Sequence, residues 1–303
     1  MDERDRRSLK EIGGEWIRFQ CPMSQYTTFR VGGRVDAIYF TQNLSNLKRM
    51  VKYLSGEGIP YLVVGRGSNL LVKDGGLQGV VIMLQGELAS FEQDEKNNRI
   101  IAAGGGLSIV EFLSHCKLMG LGGLEFLAGI PGTVGGAVAM NAGAFGKDMG
   151  SITQDIEMVT EQGDLVVMDQ SQINFSYRTA SIPRGAVIVK ARFELNKEDP
   201  DTIAQRIAEY MSRRKAKQPL EYPSGGSIFK NPPNDYAGRL IENAGLKGKR
   251  IGKALISPKH ANFIVNTGGA KAEDILALMD LIRKKVREET GIELEPEIKV
   301  VGE

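Results

Sequence analysis

The segment Gly129-Ile-Pro-Gly132-Thr133-Val-Gly135-Gly136-Ala137-Val-Ala-Met-Asn141-Ala-Gly143-Ala-Phe-Gly146 constrains this chain more than any other part of it. Glycine and proline interrupt its apolar residues too often for a long helix or an ordinary strand. It reads as loops and short helical turns packed around something. Small residues at this density let a backbone approach a flat or extended ligand, and tight helix packing uses the same residues. Glycine is in excess along the whole chain, 37 of 303 residues, or about 12% where about 7% is ordinary.

Composition excludes several classes. Hydrophobic residues at 42% and charged residues at 25% are those of a soluble globular protein, not of a disordered, collagenous or disulfide-stapled one. Lys and Arg number 39 against 37 Asp and Glu, a balance of +2. That leaves no electrostatic case for nucleic acid or an anionic membrane as partner. The two cysteines, Cys21 and Cys116, form no CxxC, so a reducing, cytoplasmic setting is expected. With His115 and His260 as the only histidines, a three-histidine zinc site and HExxH are impossible, and no metal is expected. No apolar run approaches about 18 residues, and the charged N-terminus is not followed by a signal core. No obligate protein partner is indicated.

Periodicity predicts a short helix within residues 1–20, a helix over 44–56 stopped by Gly56, and a buried strand over 61–64. Short strands are expected at 80–84 and 100–103, and an amphipathic helix at 108–119. Two strands between 155 and 168 flank a turn at 162–164, and a further strand covers 187–195. The polar stretch 196–201 looks like a linker. Beyond it, helices are expected at 202–214, 235–245 and 271–289, the last with Ile275, Leu278, Met279, Ile282 and Val286 on one face, and a final strand at 297–301. The class is α+β, divided near residue 197 into domains 1–196 and 197–303.

Several local patterns can carry chemistry. Gly65-Arg66-Gly67-Ser68-Asn69 follows a strand and can present converging backbone N–H groups to a phosphate, or be a tight turn. It is neither a Rossmann fingerprint, since Leu70 stands where the third glycine belongs, nor a P-loop. Arg178, between Tyr177 and Thr179, can grip a carboxylate bidentately or lie on the surface. Ser227 follows Gly225-Gly226 without a GxSxG elbow, so it suits a hydrogen bonder or proton donor better than a nucleophile. His260 enters a strand from a loop and can hydrogen-bond a ligand, whereas His115 sits in a helix as a structural residue.

Taken in order, these pieces resemble one family. Thr27-Thr28-Phe29-Arg-Val-Gly32-Gly33, Gly65-Arg-Gly67-Ser-Asn69, the run from Gly123 to Ala137, Ser176-Tyr177-Arg178, Gly226-Ser227-Ile-Phe-Lys-Asn231-Pro and Leu294-Glu-Pro-Glu297 are similar to the UDP-N-acetylenolpyruvoylglucosamine reductase (MurB) family of bacterial peptidoglycan synthesis. The likeness covers about residues 20–302. It implies a FAD-binding domain of the PCMH (vanillyl-alcohol-oxidase) type over 1–196, in two subdomains split near 75–85. A C-terminal substrate domain, 197–303, would send its last strand back to the active site.

The resemblance implies NADPH-dependent reduction of UDP-N-acetylglucosamine enolpyruvate to UDP-N-acetylmuramate, the UDP-N-acetylmuramate dehydrogenase activity. Hydride would pass from reduced FAD to the alkene, and a proton from Ser227. Arg178 matches the carboxylate-binding arginine. Glu297 matches a glutamate that works protonated, which requires a raised pKa in a closed, apolar site. Flavin contacts would come from Gly65, Arg66, Gly67, Ser68, Asn69, Gly129, Gly132, Thr133, Gly135, Gly136, Ala137, Asn141 and Gly143. Tyr177, Lys217, Asn231 and His260 would meet the substrate. Residues 60–80 hold no histidine, so the FAD is expected to be non-covalent. Longer members carry a tyrosine loop that closes over the nucleotide, and this chain matches the shorter subclass without it.

Two other readings compete. A FAD-dependent alcohol or sugar oxidoreductase of the same fold would need a base, whereas Arg178, Ser227 and Glu297 offer a carboxylate clamp and a proton donor. A nucleotide-sugar-binding protein without catalysis would not need all three.

Overall fold

The strongest periodicity in the chain becomes its longest helix, Ala272–Thr290, with Ile275, Leu278, Met279, Ile282 and Val286 all buried. Asp74 accepts from the N–H groups of Ala272 and Glu273 at 3.0 and 2.9 Å, satisfying two donors that the first helical turn leaves without partners. Gly291, at φ 72°, closes the other end with its N–H on the Arg287 carbonyl. The structure, a computed structural model, describes residues 1–303.

The chain forms two compact units that interleave along the sequence. One comprises Met1–Phe19, Asp36–Gly65 and Gly79–Ser212, and the other Gln20–Val35, Arg66–Gln78 and Arg213–Glu303. The expected boundary at 196/197 is linear, and the compact units are not. The physical reason is a long-range pairing: Leu70–Val72 runs parallel to Lys299–Val301, with Leu70 opposite Lys299. The stretch around 70 is thereby drawn into the unit of the C-terminal helix.

The first unit contains two apolar clusters. In one, Leu47, Met50, Val51 and Leu54 of the helix Leu44–Gly56 pack with Ala37, Tyr39, Val80 and Ile82. Asn43 caps that helix by accepting from Asn46 N–H at 2.8 Å. The associated sheet has the order Ile17–Pro22, Arg34–Thr41, Leu77–Leu84, Tyr61–Val63. The other cluster lies on an antiparallel five-stranded sheet ordered Leu165–Asp169, Thr153–Val159, Val187–Glu194, Ile100–Gly104, Phe91–Gln93. Helix Ile109–Leu118 buries Phe112, Leu113 and Cys116 against that cluster. His115 stacks on Phe91 with ring centroids 4.6 Å apart.

The second unit packs Ala272–Thr290 and the short helix Ala237–Asn243 around Phe29, Leu71, Ile228, Phe229 and Ile264. A three-stranded antiparallel sheet, Arg250–Ile251, Ala254–Ile256 and Ile264–Asn266, belongs to the same unit.

Local expectations are corrected in several places. The supposed linker 196–201 is structured: Asn196–Lys197 pairs with Leu121–Gly122, and Asp199 accepts from Thr202 N–H at 3.0 Å where the helix Pro200–Lys217 starts. Its polarity is that of a helix cap and an exposed edge. That helix runs on through Arg213-Arg214-Lys215, where an end at 214 was expected. The strand Tyr61–Val63 is an edge strand with Val63 37% exposed, so it is only partly covered. The final strand begins at Lys299, two residues after Glu297. Residues 1–20 hold the capped helix Glu3–Gly13 and then the start of an unanticipated strand, Ile17–Pro22.

Candidate active site

Within the first unit the two glycine-rich stretches meet. A Cβ on Gly65 would lie 2.5 Å from Thr133 Oγ1, so the turn leaving Tyr61–Val63 touches the Thr133 segment only because residue 65 has no side chain. Thr133 caps the helix Val134–Ala139, its hydroxyl accepting from Gly136 N–H at 3.4 Å. Gly135 is accounted for by the fold: its N–H donates to Gly105 O at 2.9 Å, and a Cβ would press on that same oxygen.

Gly136 is different. It is exposed, helical, and a Cβ there would meet nothing nearer than Thr133 Oγ1 at 3.5 Å. Nothing inside the protein requires glycine at 136, but a ligand lying against that backbone would. The residues present therefore fit a large flat group held against main chain. Thr133 and Ala137 are buried, and Gly132 and Gly143 half-buried. Gly129, at φ 77°, makes the turn into the segment.

Asn141 joins this segment to Arg178. Buried to 2% exposure at φ 41°, it donates through Nδ2 to Ser176 O at 2.8 Å and accepts at Oδ1 from Gly150 N–H at 2.8 Å. Ser176 and Thr179 exchange backbone hydrogen bonds of 3.0 and 3.1 Å, leaving Tyr177 and Arg178 as a tight two-residue turn. Arg178 has φ 59°, sparsely populated for a non-glycine residue. Its Nη1 donates to Gly143 O at 2.9 Å, and its guanidinium lies 5.2 Å from the Tyr177 ring centroid. Tyr177 itself is half exposed. Arg178, Tyr177, Asn141 and Gly143 thus form one hydrogen-bonded piece.

Within the second unit the backbone assembles a second group. Thr28 links the first glycine loop to the serine segment: its N–H donates to Gly67 O at 3.2 Å and its hydroxyl to Ser224 O at 2.6 Å. Gly67, at φ 60°, admits no side chain, since a Cβ would lie 2.3 Å from Tyr26 O. Gly225 and Gly226 then turn the chain ahead of Ser227, the former against the Phe29 ring and the latter at φ 78°.

Beyond Ser227, the strand-like stretch is held on both sides. Ile228 N–H donates to Asn262 O, and buried Asn262 brackets Phe229 through both amide atoms. On the other side Glu297 N–H donates to Ile228 O at 2.8 Å, and Lys230 N–H to Glu295 O at 2.9 Å. Asn69 Nδ2 donates to Glu297 O at 3.0 Å. Asn69, Ser227 and Glu297 are therefore brought together by neighbouring backbone, with half-buried Ser68 and exposed Arg66 in the same loop.

Ser227 also opens on a cavity of about 530 Å³ in the second unit. Lys217, Asn231 and His260, all expected from sequence to meet substrate, line it too. Asn231 Oδ1 accepts from Ala237 N–H at 3.1 Å, which fixes the start of helix Ala237–Asn243. His260 Nδ1 accepts from Asn262 N–H at 3.3 Å, leaving Nε2 to carry the proton in the neutral ring. Burial holds the His260 pKa below its usual value, helped by the positive charges of Lys247 and Lys217.

Sequence reasoning missed Tyr236, Arg239, Glu242, Lys247 and Lys259, which line the same cavity. The spacing 236, 239, 242 along a short helix and the paired lysines of Gly245-Leu-Lys247-Gly-Lys249 were the available signal. Four cations against Glu242 make the lining basic. Arg239 is paired with Asp235, and Lys247 with Glu242 at 2.6 Å, so the surplus charge comes from Lys217 and Lys259. A basic cavity containing Asn and Tyr suits a polar anionic ligand.

Comparison with known proteins bears on both units. A family model described as "FAD binding domain" matches residues 35–169, and one described as "UDP-N-acetylenolpyruvoylglucosamine reductase, C-terminal domain" matches 218–301. A UDP-N-acetylenolpyruvoylglucosamine reductase of Geobacter metallireducens is 42% identical, covering 100% of this chain and 99% of its own length. That of Syntrophus aciditrophicus is 41% identical over 98% of this chain and 96% of its own. The crystal structure of the Thermus caldophilus enzyme superposes with a TM-score of 0.82 at 38% identity, over 94% of this chain and all of the other. p-Cresol methylhydroxylase, at 9% identity and a TM-score of 0.58 over 95% of this chain and 88% of its own, shares the fold alone.

Proposed function

The chain belongs to the UDP-N-acetylenolpyruvoylglucosamine reductase family, and on that premise we propose how its residues divide the work. It is a FAD-dependent reductase that converts UDP-N-acetylglucosamine enolpyruvate to UDP-N-acetylmuramate, with NADPH as reductant. The observation that carries the residue assignment is the backbone network joining Asn69, the Ser227 stretch and Glu297 beside a basic cavity.

Bound FAD supplies the transfer of electrons from NADPH to the alkene. Its holders are Gly65, Arg66, Gly67, Ser68 and Asn69 together with Gly129, Gly132, Thr133, Gly135, Gly136, Ala137, Asn141 and Gly143. No histidine or cysteine stands between residues 60 and 80, so we assign a non-covalent cofactor. Exposed Gly136 is the clearest support for a group resting on backbone there.

Arg178 binds the enolpyruvyl carboxylate. A guanidinium has five N–H donors in a rigid fork, so its bond to Gly143 O orients it without using it up. Negative charge grows on that carboxylate during reduction, and a fixed cation there lowers the barrier by a few kcal/mol, about what one oxyanion-hole donor gives. Ser227 donates the proton that completes the reduced carbon. Glu297 acts protonated, donating a hydrogen bond to the charge-bearing carboxylate, which an ionised glutamate would repel.

Lys217 and Asn231 take the nucleotide diphosphate in the basic cavity, with His260 at its edge and Tyr177 beside Arg178. We place the chain in the shorter subclass, in which something other than a tyrosine loop covers the nucleotide. No helix is long and apolar enough to cross a membrane. We assign a bacterial cytoplasmic setting with small molecules as partners.

Anaerobic visible spectra test the reading. The protein is expected to be yellow, to bleach with NADPH and to recolour with UDP-N-acetylglucosamine enolpyruvate. Bleaching without recolouring would move the substrate elsewhere, and a protein colourless after FAD is added would remove the cofactor.

A further inference from the structure

The strands Gly143–Ala144 and Lys147–Asp148 pair with Ala144 opposite Lys147, leaving Phe145 and Gly146 as a two-residue turn. Both turn residues have positive φ, 54° and 78°. Asn-Gly is the usual occupant of such a turn, because asparagine tolerates the left-handed region and a bulky side chain does not. An aromatic residue held there marks a constraint imposed from elsewhere. Phe145 is 41% exposed, so burial in the core does not supply that constraint. Its ring lies face to face with Tyr210 of the helix Pro200–Lys217, with centroids 4.2 Å apart and planes at 8°. Tyr210 is half-buried and packs on the apolar cluster of the same unit.

The other end of the hairpin carries the Gly143 carbonyl that receives Arg178 Nη1 at 2.9 Å. Asn141 Nδ2 reaches Ser176 O at 2.8 Å and Asp148 Oδ2 at 3.3 Å, so hairpin and Arg178 turn are fastened to each other. The aromatic stack fastens the pair to the helix. We propose that the Phe145–Tyr210 stack is a latch that positions Arg178 for a carboxylate ligand through the carbonyl of Gly143. Phe145 and Tyr210 are then positioning residues, and the inference rests on the assignment of Arg178 to the carboxylate.

The test compares two ligands that differ by the lactyl ether that carries the carboxylate, UDP-N-acetylmuramate and UDP-N-acetylglucosamine, titrated calorimetrically into the oxidised FAD-loaded enzyme. Phe145→Asn places the preferred residue in the turn, so the hairpin survives while the stack is lost. Phe145→Asn and Tyr210→Ala are expected to weaken the muramate about tenfold and leave the other ligand within about twofold. Tyr210→Phe keeps the ring and is expected to bind both ligands as the wild type does. Arg178→Lys serves as the reference.

If Arg178→Lys abolishes the preference for the carboxylated ligand and both latch variants retain it, the latch is overturned. Equal weakening of both ligands by the latch variants would also overturn it, since a merely structural stack predicts that. If wild type and Arg178→Lys bind the two ligands alike, the carboxylate role of Arg178 has failed, and the latch falls with it.

Discussion

The side-chain amide of Asn69 donates to the backbone carbonyl of Glu297 at 3.0 Å, across 228 positions of sequence. The N–H of Glu297 donates in turn to Ile228 O at 2.8 Å. Glu297 is therefore pinned on one side by the first glycine loop and on the other by the stretch that begins at Ser227. Its carboxyl group starts from a fixed backbone, which a positioned acid requires.

Removing the anchor is expected to loosen both sides. Asn69→Ala loses one hydrogen bond and leaves the Glu297 carbonyl without that donor, a destabilisation of about 1–2 kcal/mol. Denaturant unfolding of the apoprotein, monitored by far-UV circular dichroism, measures it without a contribution from FAD binding. An unchanged midpoint would contradict the anchoring role.

Glu297 itself distinguishes a protonated from an ionised carboxyl. Glu297→Gln keeps an N–H donor, whereas Glu297→Ala keeps none. The alanine variant is expected to slow flavin reoxidation by the enolpyruvyl substrate by about 10²-fold or more, and the glutamine variant by clearly less. Equal loss in the two variants would contradict hydrogen-bond donation.

Gly136→Ala separates fold from ligand. An alanine meets no obstacle at this exposed helical position, so the apoprotein is expected to gain up to about 1 kcal/mol. FAD affinity is expected to fall in the same variant, because a methyl group occupies the space the ligand takes. Thermal melts of the apoprotein and fluorescence titration with FAD read the two effects. Unchanged affinity would remove Gly136 from the flavin site.

His260 gives a pH signature. Burial, then Lys247 and Lys217, lower its pKa, and Glu242 opposes them. The unfolded chain therefore binds a proton at this site before the folded chain does. The stability contributed by the neutral ring is present above the unfolded value of about 6.5 and is lost as pH falls through it toward the folded value. The Tm difference between wild type and His260→Gln is expected to be flat from about pH 8 to 7 and to move against the wild type below about 6.5. A difference flat down to pH 5 would contradict the lowered pKa.

How much of this was legible in sequence depended on whether the signal was local. The helix Ala272–Thr290 was legible because one apolar stripe repeats over 19 residues. Gly65–Asn69 and 129–146 stood out because glycine density marks backbone contact directly, although only the structure separates Gly135, which the fold needs, from Gly136, which it does not. The strand Arg34–Thr41 escaped because five consecutive buried residues at its end show no alternation. The interleaving of the two units escaped because the pairing of Leu70 with Lys299 leaves no local trace. Lys247 and Lys259 escaped because each sits in a short polar turn that reads as solvated surface.

Ser227 carries the most direct test, by anaerobic stopped-flow absorbance on the wild type and Ser227→Ala. The wild type is expected to bleach with NADPH and recolour on mixing with UDP-N-acetylglucosamine enolpyruvate. Ser227→Ala is expected to bleach at the wild-type rate and recolour at least about 10²-fold more slowly, because the proton donor alone is missing. Recolouring at the wild-type rate, or equal slowing of both half-reactions, would contradict the assignment of Ser227 as the proton donor.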